Sequence, residues 1–152
     1  MAYDSLISRR QVLGGLAAAS TLPFGNLLAA TQGKAMRGAL MILSTPYTEA
    51  GGVDFDDLAN EVAFSERCGV QGIVWPQNSS EQRYLTKEER LRGFEVLAQA
   101  NRGRSMSLTL GVQADDTQGM LEYARVAESL EPDGMIAIPP TSADSLAQIR
   151  AY

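Results

Sequence analysis

The sequence contains no histidine, one cysteine and only two lysines in 152 residues. A lone thiol excludes an internal disulfide, and the absence of histidine removes every histidine-based triad and every histidine- or cysteine-rich metal site. A metal held by carboxylates alone would need Asp and Glu crowded at loop spacing, and no such cluster stands out, so neither metal nor cofactor is expected. Positive charge is scarce as well, with 13 basic against 18 acidic side chains and a formal charge of −5. Such a surface repels phosphate backbones, so nucleic acid is not an expected partner. What is present is an ordinary globular composition, 45% hydrophobic and 20% charged, in a chain long enough to bury one core.

An uncharged stretch, residues 14–30, is too short and too rich in Gly, Ala and Ser to be a comfortable membrane span. It follows Ser8-Arg9-Arg10-Gln11-Val12-Leu13 and ends in Leu28-Ala29-Ala30, small residues suited to signal peptidase. This segment resembles a twin-arginine export signal. The expected organisation is therefore a signal over residues 1–30, a linker over 31–36 and one domain over 37–152. The resemblance implies the twin-arginine translocation machinery as a partner and a periplasmic or secreted location, with a membrane anchor as the alternative if the signal stays uncleaved.

From Arg37 onward one pattern repeats at intervals of about thirty residues, the size of a βα unit. A short apolar run leads to a polar loop and then to a segment with helical spacing of apolar residues. The strand candidates are residues 39–43, 72–75, 106–112 and 135–138. The first helix is expected to start at Asp54, bury Leu58, Val62 and Phe64, and end at Gly69. Thr86 and Glu89 have capping-box spacing ahead of a stripe of Leu91, Phe94, Val96 and Leu97. The third helix, near 117–130, should turn Met120, Leu121, Ala124 and Ala127 inward, and a fourth should begin near Asp144. Alternating strands and helices predict an α/β fold with a parallel sheet, but periodicity does not choose between a doubly wound sheet and a barrel.

Three stretches carry a family resemblance. Gly38 to Phe55, with Thr45-Pro46 ahead of Gly51-Gly52-Val53-Asp54, is similar to the opening strand and turn of the dihydrodipicolinate synthase and N-acetylneuraminate lyase family. Gly69-Val70-Gln71-Gly72-Ile73-Val74, Glu81 and Leu85-Thr86-Lys87-Glu88-Glu89-Arg90 resemble its second strand, substrate loop and second helix. Gly111-Val112-Gln113-Ala114 with Thr117, then Ala124, Arg125, Ala127 and Asp133-Gly134, resemble its third strand, third helix and fourth strand. The resemblance implies a (β/α)8 TIM barrel of which this chain holds roughly the first four βα units. It also implies a lyase or aldolase acting on pyruvate or a related 2-oxo acid through a lysine Schiff base, an assembly that is a homo-oligomer, and a site at the carboxyl ends of the strands.

In the family the second-strand loop reads Gly-Thr-Thr-Gly-Glu and holds the carboxylate of the 2-oxo acid. Here it reads Gln77-Asn78-Ser79-Ser80-Glu81, so the implied substrate-binding residues are Asn78 and Ser79. Asn78 keeps a hydrogen-bond donor but cannot relay a proton as a hydroxyl does, and both glycines are gone. The family's Pro-Tyr-Tyr at the fourth strand is replaced by Pro140-Thr141-Ser142, which weakens a synthase assignment more than it weakens the barrel. No catalytic residue is assigned within the chain. Lys34 precedes the first strand and Lys87 opens the second helix, both read as solvated surface charges, so the Schiff-base lysine and the catalytic tyrosine are expected beyond Tyr152 and the chain alone is expected to be inactive. Trp75 is read as packing, Cys68 as a buried inert thiol, Asp115-Asp116 as helix-terminal charge and Glu81 as a structural acceptor. The alternatives are a non-catalytic small-acid binding protein on the same scaffold and a half-barrel that assembles with itself.

Overall fold

The computed structural model describes residues 34–140 and 142–152. The segment read as an export signal, residues 1–30, and Thr141 lie outside the described residues. The elements run β1 (Leu40–Ile42), α1 (Phe55–Arg67), β2 (Gly72–Trp75), α2 (Lys87–Asn101), β3 (Ser107–Gly111), α3 (Thr117–Ser129), β4 (Gly134–Ile136) and α4 (Leu146–Ala151). Two short 3-10 turns, Asn78–Ser80 and Gln82–Tyr84, occupy the loop after β2.

All four strands are parallel and lie in the order β1-β2-β3-β4. That order decides what periodicity could not. A doubly wound sheet reverses direction part-way so that helices cover both faces, whereas sequential order with right-handed crossovers places successive helices on one side, as in a barrel wall. The core agrees: Ile73, Trp75, Leu108 and Leu110 pack with Leu58, Val62, Phe94, Leu97 and Ala127 from α1, α2 and α3 in one cluster. The register puts Leu40, Gly72 and Ser107 on one row of the opposite face, and Ile42, Val74, Thr109 and Gly134 on the next.

Each helix starts where its side chains can hold the first free N–H groups. Asp54 accepts from Asp56 and Asp57, Asp116 from Gly119, and Ser145 from Gln148. Thr86 and Glu89 form the reciprocal capping box that their spacing predicts. Gly69, at φ +76, takes the left-handed position just past α1 that a side chain would resist.

Several expectations need correction. Phe64 is 53% exposed, with the Arg67 guanidinium 5.9 Å over its ring, because the buried stripe of α1 runs Leu58, Val62, Ser65. The inward side of α3 is Met120, Tyr123, Ala124 and Ala127, and Leu121 faces solvent. Cys68 is exposed at the end of α1, not buried. Lys34 is not a free surface charge: its Nζ donates to the Met106 carbonyl at 2.8 Å and lies 3.9 Å from Asp133. Trp75 is buried as expected.

Candidate functional site

The loops at the carboxyl ends of the strands gather the buried polar side chains Thr45, Gln77, Ser80 and Gln113. Buried polar groups must find partners, and these four find them by tying the β2 loop to its neighbours. Toward β1, the Trp75 indole donates to Thr45 Oγ1 at 3.1 Å and Thr45 Oγ1 donates to the Ser80 carbonyl at 2.5 Å. The Ser80 hydroxyl donates to the Leu43 carbonyl at 2.5 Å while accepting from the Gln77 N–H at 3.1 Å. Toward β3, Gln77 Nε2 donates to Gln113 Oε1 at 3.1 Å, and Gln113 Nε2 donates to the Pro76 carbonyl at 3.0 Å and to Gln82 Oε1. Gln82 Nε2 in turn donates to Asn78 Oδ1 at 3.3 Å.

Within Gln77-Asn78-Ser79-Ser80 the outer two residues are buried and the middle two, Asn78 and Ser79, are exposed. Asn78 Oδ1 accepts from Gln82, and its amide N–H groups make no hydrogen bond among the described residues. Ser79 makes no side-chain hydrogen bond among the described residues, so both keep donors for a ligand. Ser80, read from sequence as a lost glycine, is instead a buried cross-link. The left-handed position falls one residue later, on Glu81 at φ 56. Burial pushes the pKa of the Tyr47 phenol up, and the nearby Glu81 and Glu89 carboxylates add to the shift.

A cavity of about 470 Å³ opens between this loop, α2 and α3, lined by Asn78, Gln82, Arg90, Gln113, Asp115 and Tyr123 among others. The ends of β3 and β4 complete it with Ala114, Ile138, Pro139 and Pro140. Asp116 caps α3, matching the helix-terminal reading, whereas Asp115 sits in the cavity wall. Sequence reasoning missed Gln77, Gln113 and Arg90. Gln113 directly after an apolar strand was a usable signal, whereas Arg90 on a charged helical turn gave none.

The two lysines are accounted for. Lys87 Nζ pairs with Glu122 at 2.7 Å on the surface, which raises its pKa, the opposite of what an amine nucleophile needs. Lys34, bonded to the Met106 carbonyl just before β3, lies at the amino ends of the strands, away from the loops described here.

The family model of the dihydrodipicolinate synthetase family matches residues 35–143. The chain belongs to that family. It is 30% identical over 106 residues to an uncharacterized DapA-like lyase of Pyrococcus abyssi, covering 69% of this chain and 35% of that protein. It is 29% identical over 105 residues to a 4-hydroxy-tetrahydrodipicolinate synthase of Laribacter hongkongensis, covering 69% of this chain and 36% of that one. Among solved structures it is similar to a dihydrodipicolinate synthase, with TM-score 0.70 and 26% identity over 76% of this chain and 40% of that chain. An N-acetylneuraminate lyase from Mycoplasma synoviae gives TM-score 0.67 and 26% identity over 72% of this chain and 39% of the other. The chain thus spans about a third of the length of the curated relatives it matches, and its four βα units are part of the TIM-barrel fold of this lyase family.

Proposed function

We propose that this chain is the amino-terminal half of the barrel of an exported lyase or aldolase that acts on pyruvate or a related 2-oxo acid. The reaction would run through a lysine Schiff base on a residue that follows Tyr152. The observation that supports the reading is the β2 loop: it resembles the family's substrate loop, is pinned on both sides, and leaves the exposed Asn78 and Ser79 with donors not engaged among the described residues. Those donors suit a substrate carboxylate. The amine would add to the keto carbon and expel water, and the resulting iminium would draw electrons from the adjacent carbon. That carbon could then lose a proton and attack an aldehyde, or be released in cleavage. Export through the twin-arginine machinery to the periplasm or beyond, and homo-oligomeric assembly, belong to the same proposal.

The test is borohydride reduction of the full-length protein in the presence of pyruvate, followed by peptide mass mapping. The expected adduct lies on a lysine after Tyr152, with none on Lys34 or Lys87. Absence of an adduct with any 2-oxo acid overturns the reading. A second reading, a non-catalytic small-acid binding protein, is favoured by the amide chain Gln77-Gln113-Gln82-Asn78, because amides bind but do not relay protons. Calorimetric binding of pyruvate without imine trapping would support it.

A further inference from the structure

A side-chain amide has two unlike ends, an oxygen that accepts and an NH2 that donates, so what it offers a ligand depends on which end is free. A hydroxyl has no such polarity, because it rotates to donate or to accept. Asn78 stands where the family has a threonine, and its amide therefore needs a neighbour that holds it one way round.

The amide network of the β2 loop starts from a group that cannot turn. The Pro76 carbonyl is fixed in the backbone just after β2 and can only accept, so the end of Gln113 that meets it at 3.0 Å is Nε2. With its NH2 end placed, Gln113 turns Oε1 to Gln77, whose Nε2 donates to it at 3.1 Å. Gln113 Nε2 also donates to Gln82 Oε1, which commits the Gln82 oxygen to the inner side. Gln82 Nε2 is then the end that reaches Asn78, and it donates to Asn78 Oδ1 at 3.3 Å. Asn78 is left with its acceptor engaged and its N–H groups without a partner among the described residues. One backbone carbonyl thus sets the direction of four side-chain amides. The hub has no solvent in which to turn, since Gln77 and Gln113 are 4% and 3% exposed. It has no spare volume either: a Cβ on Gly111 would lie 1.9 Å from the Pro76 carbonyl oxygen and 3.0 Å from Gln113 Oε1.

We propose that Gln113 and Gln82 are positioning residues that set the polarity of Asn78, so that this position of the β2 loop offers N–H donors and no amide acceptor. The inference rests on the reading of this loop as the substrate loop. It adds that the orientation of Asn78 is imposed from Pro76 through two glutamines and is not a property of Asn78 alone.

Gln82→Glu separates the links, because a carboxylate still accepts from Gln113 but cannot donate to Asn78. The Asn78 amide must then turn over, giving an N–H to the new carboxylate and freeing its oxygen. The readout needs no ligand: exchange of the Asn78 Nδ2 protons with water in the full-length protein, followed in side-chain amide NMR spectra, with the signal assigned by its loss in Asn78→Ala. In the native protein these protons should exchange as those of a free amide do, and in Gln82→Glu one of them should exchange about fivefold more slowly or slower still, as a charge-assisted hydrogen bond requires. Gln82→Met, uncharged and unable to donate, should raise KM for pyruvate about threefold with kcat little changed. Gln82 is only half-buried, so neither variant depends on rebuilding the core. Protons already protected in the native protein, or exchange unchanged in Gln82→Glu, overturn the relay, and an unchanged KM in Gln82→Met overturns its positioning role. The expected exchange pattern in a protein that neither binds nor turns over any 2-oxo acid upholds the orientation of Asn78 and overturns the proposed lyase chemistry instead.

Discussion

Replacing Gly93 by alanine reverses the usual rule for helices. In an exposed helix interior the change from glycine to alanine stabilises by about 1 kcal/mol, through lost unfolded-state freedom. Gly93 instead faces the core: a Cβ there would lie 2.3 Å from Trp75 Cη2 and 2.4 Å from Cζ3. Ordinary carbon contacts lie at roughly 3.5–4.0 Å, so the indole or α2 must move by more than ~1 Å. The indole has little room. It is wholly buried, sits edge-on to Phe94 with ring centroids 6.3 Å apart, and is tethered through Nε1 to Thr45. Overpacking costs ~1–3 kcal/mol, and with the ring fixed the upper end applies, leaving a net loss of about 2 kcal/mol after the helical gain. Trp75 is the chain's single tryptophan, so its fluorescence during urea unfolding reads the effect at the site itself. A double-mutant cycle with Trp75→Leu, followed by circular dichroism, isolates the clash: the alanine should become neutral or stabilising once the indole is gone, a coupling of ~2 kcal/mol or more. A stabilising Gly93→Ala in the native background, or simple additivity with Trp75→Leu, would falsify the packing argument.

Ser80→Ala should cost about 1–3 kcal/mol by calorimetric melting, because it strands the buried Leu43 carbonyl and Gln77 N–H; Ser80→Gly should cost at least as much. Thr86→Ala removes half of the capping box and should cost about 1 kcal/mol, whereas Glu89→Gln should keep the box and lose its pH dependence. The Thr86 N–H and hydroxyl hold the Glu89 pKa below its ordinary 4.5. Its stabilisation is therefore complete above that value and is lost as pH falls through the depressed folded value, a slope that Glu89→Gln should flatten in acid titration of stability. Glu61 has the opposite sign, its pKa raised by burial and then by Asp57, so the folded state holds its proton more tightly and stability falls as pH rises past 4.5. Glu61→Gln should raise Tm at neutral pH and leave it unchanged near pH 3, and a uniform shift at both would count against the assignment.

The strands and helices were legible because they rest on local chemistry. Gly72–Trp75 is a continuous apolar run buried on both faces, and Thr86 with Glu89 has cap spacing that nothing distant needs to confirm. What was not legible depends on partners far along the chain. The rotation of α3 that exposes Leu121 and half-buries Tyr123 follows from Tyr123 lying under Arg90 and against Phe94, about thirty residues away in sequence. Lys34 read as solvated because it precedes the first strand, yet Asp133 and the Met106 carbonyl meet it at the foot of β3 and β4. The barrel type was legible only through resemblance, since the deciding feature, strand order, is a property of the sheet.

The β2 loop shows why the substitutions there are not equivalent. At the two positions where the family has glycine, this chain carries Gln77 and Ser80, and both side chains turn inward to form the cross-links that hold the loop between β1 and β3. At the two positions where the family has threonine, Asn78 and Ser79 are exposed and keep donors free among the described residues. Carboxylate binding needs only donors, and both positions retain them. Proton relay needs a hydroxyl that can donate and accept at once, and of the loop's two serines only Ser79 is uncommitted, since Ser80 Oγ is engaged by Leu43 and Gln77. On the proposed reaction the two capacities separate in a measurement: Ser79→Ala should slow a proton-transfer step of the full-length protein and lower kcat, whereas Asn78→Ala should chiefly raise KM for the proposed 2-oxo acid. Equal effects of both changes on kcat and KM would mean that the loop acts as a single unit and that the division between its amide and its hydroxyl is mistaken.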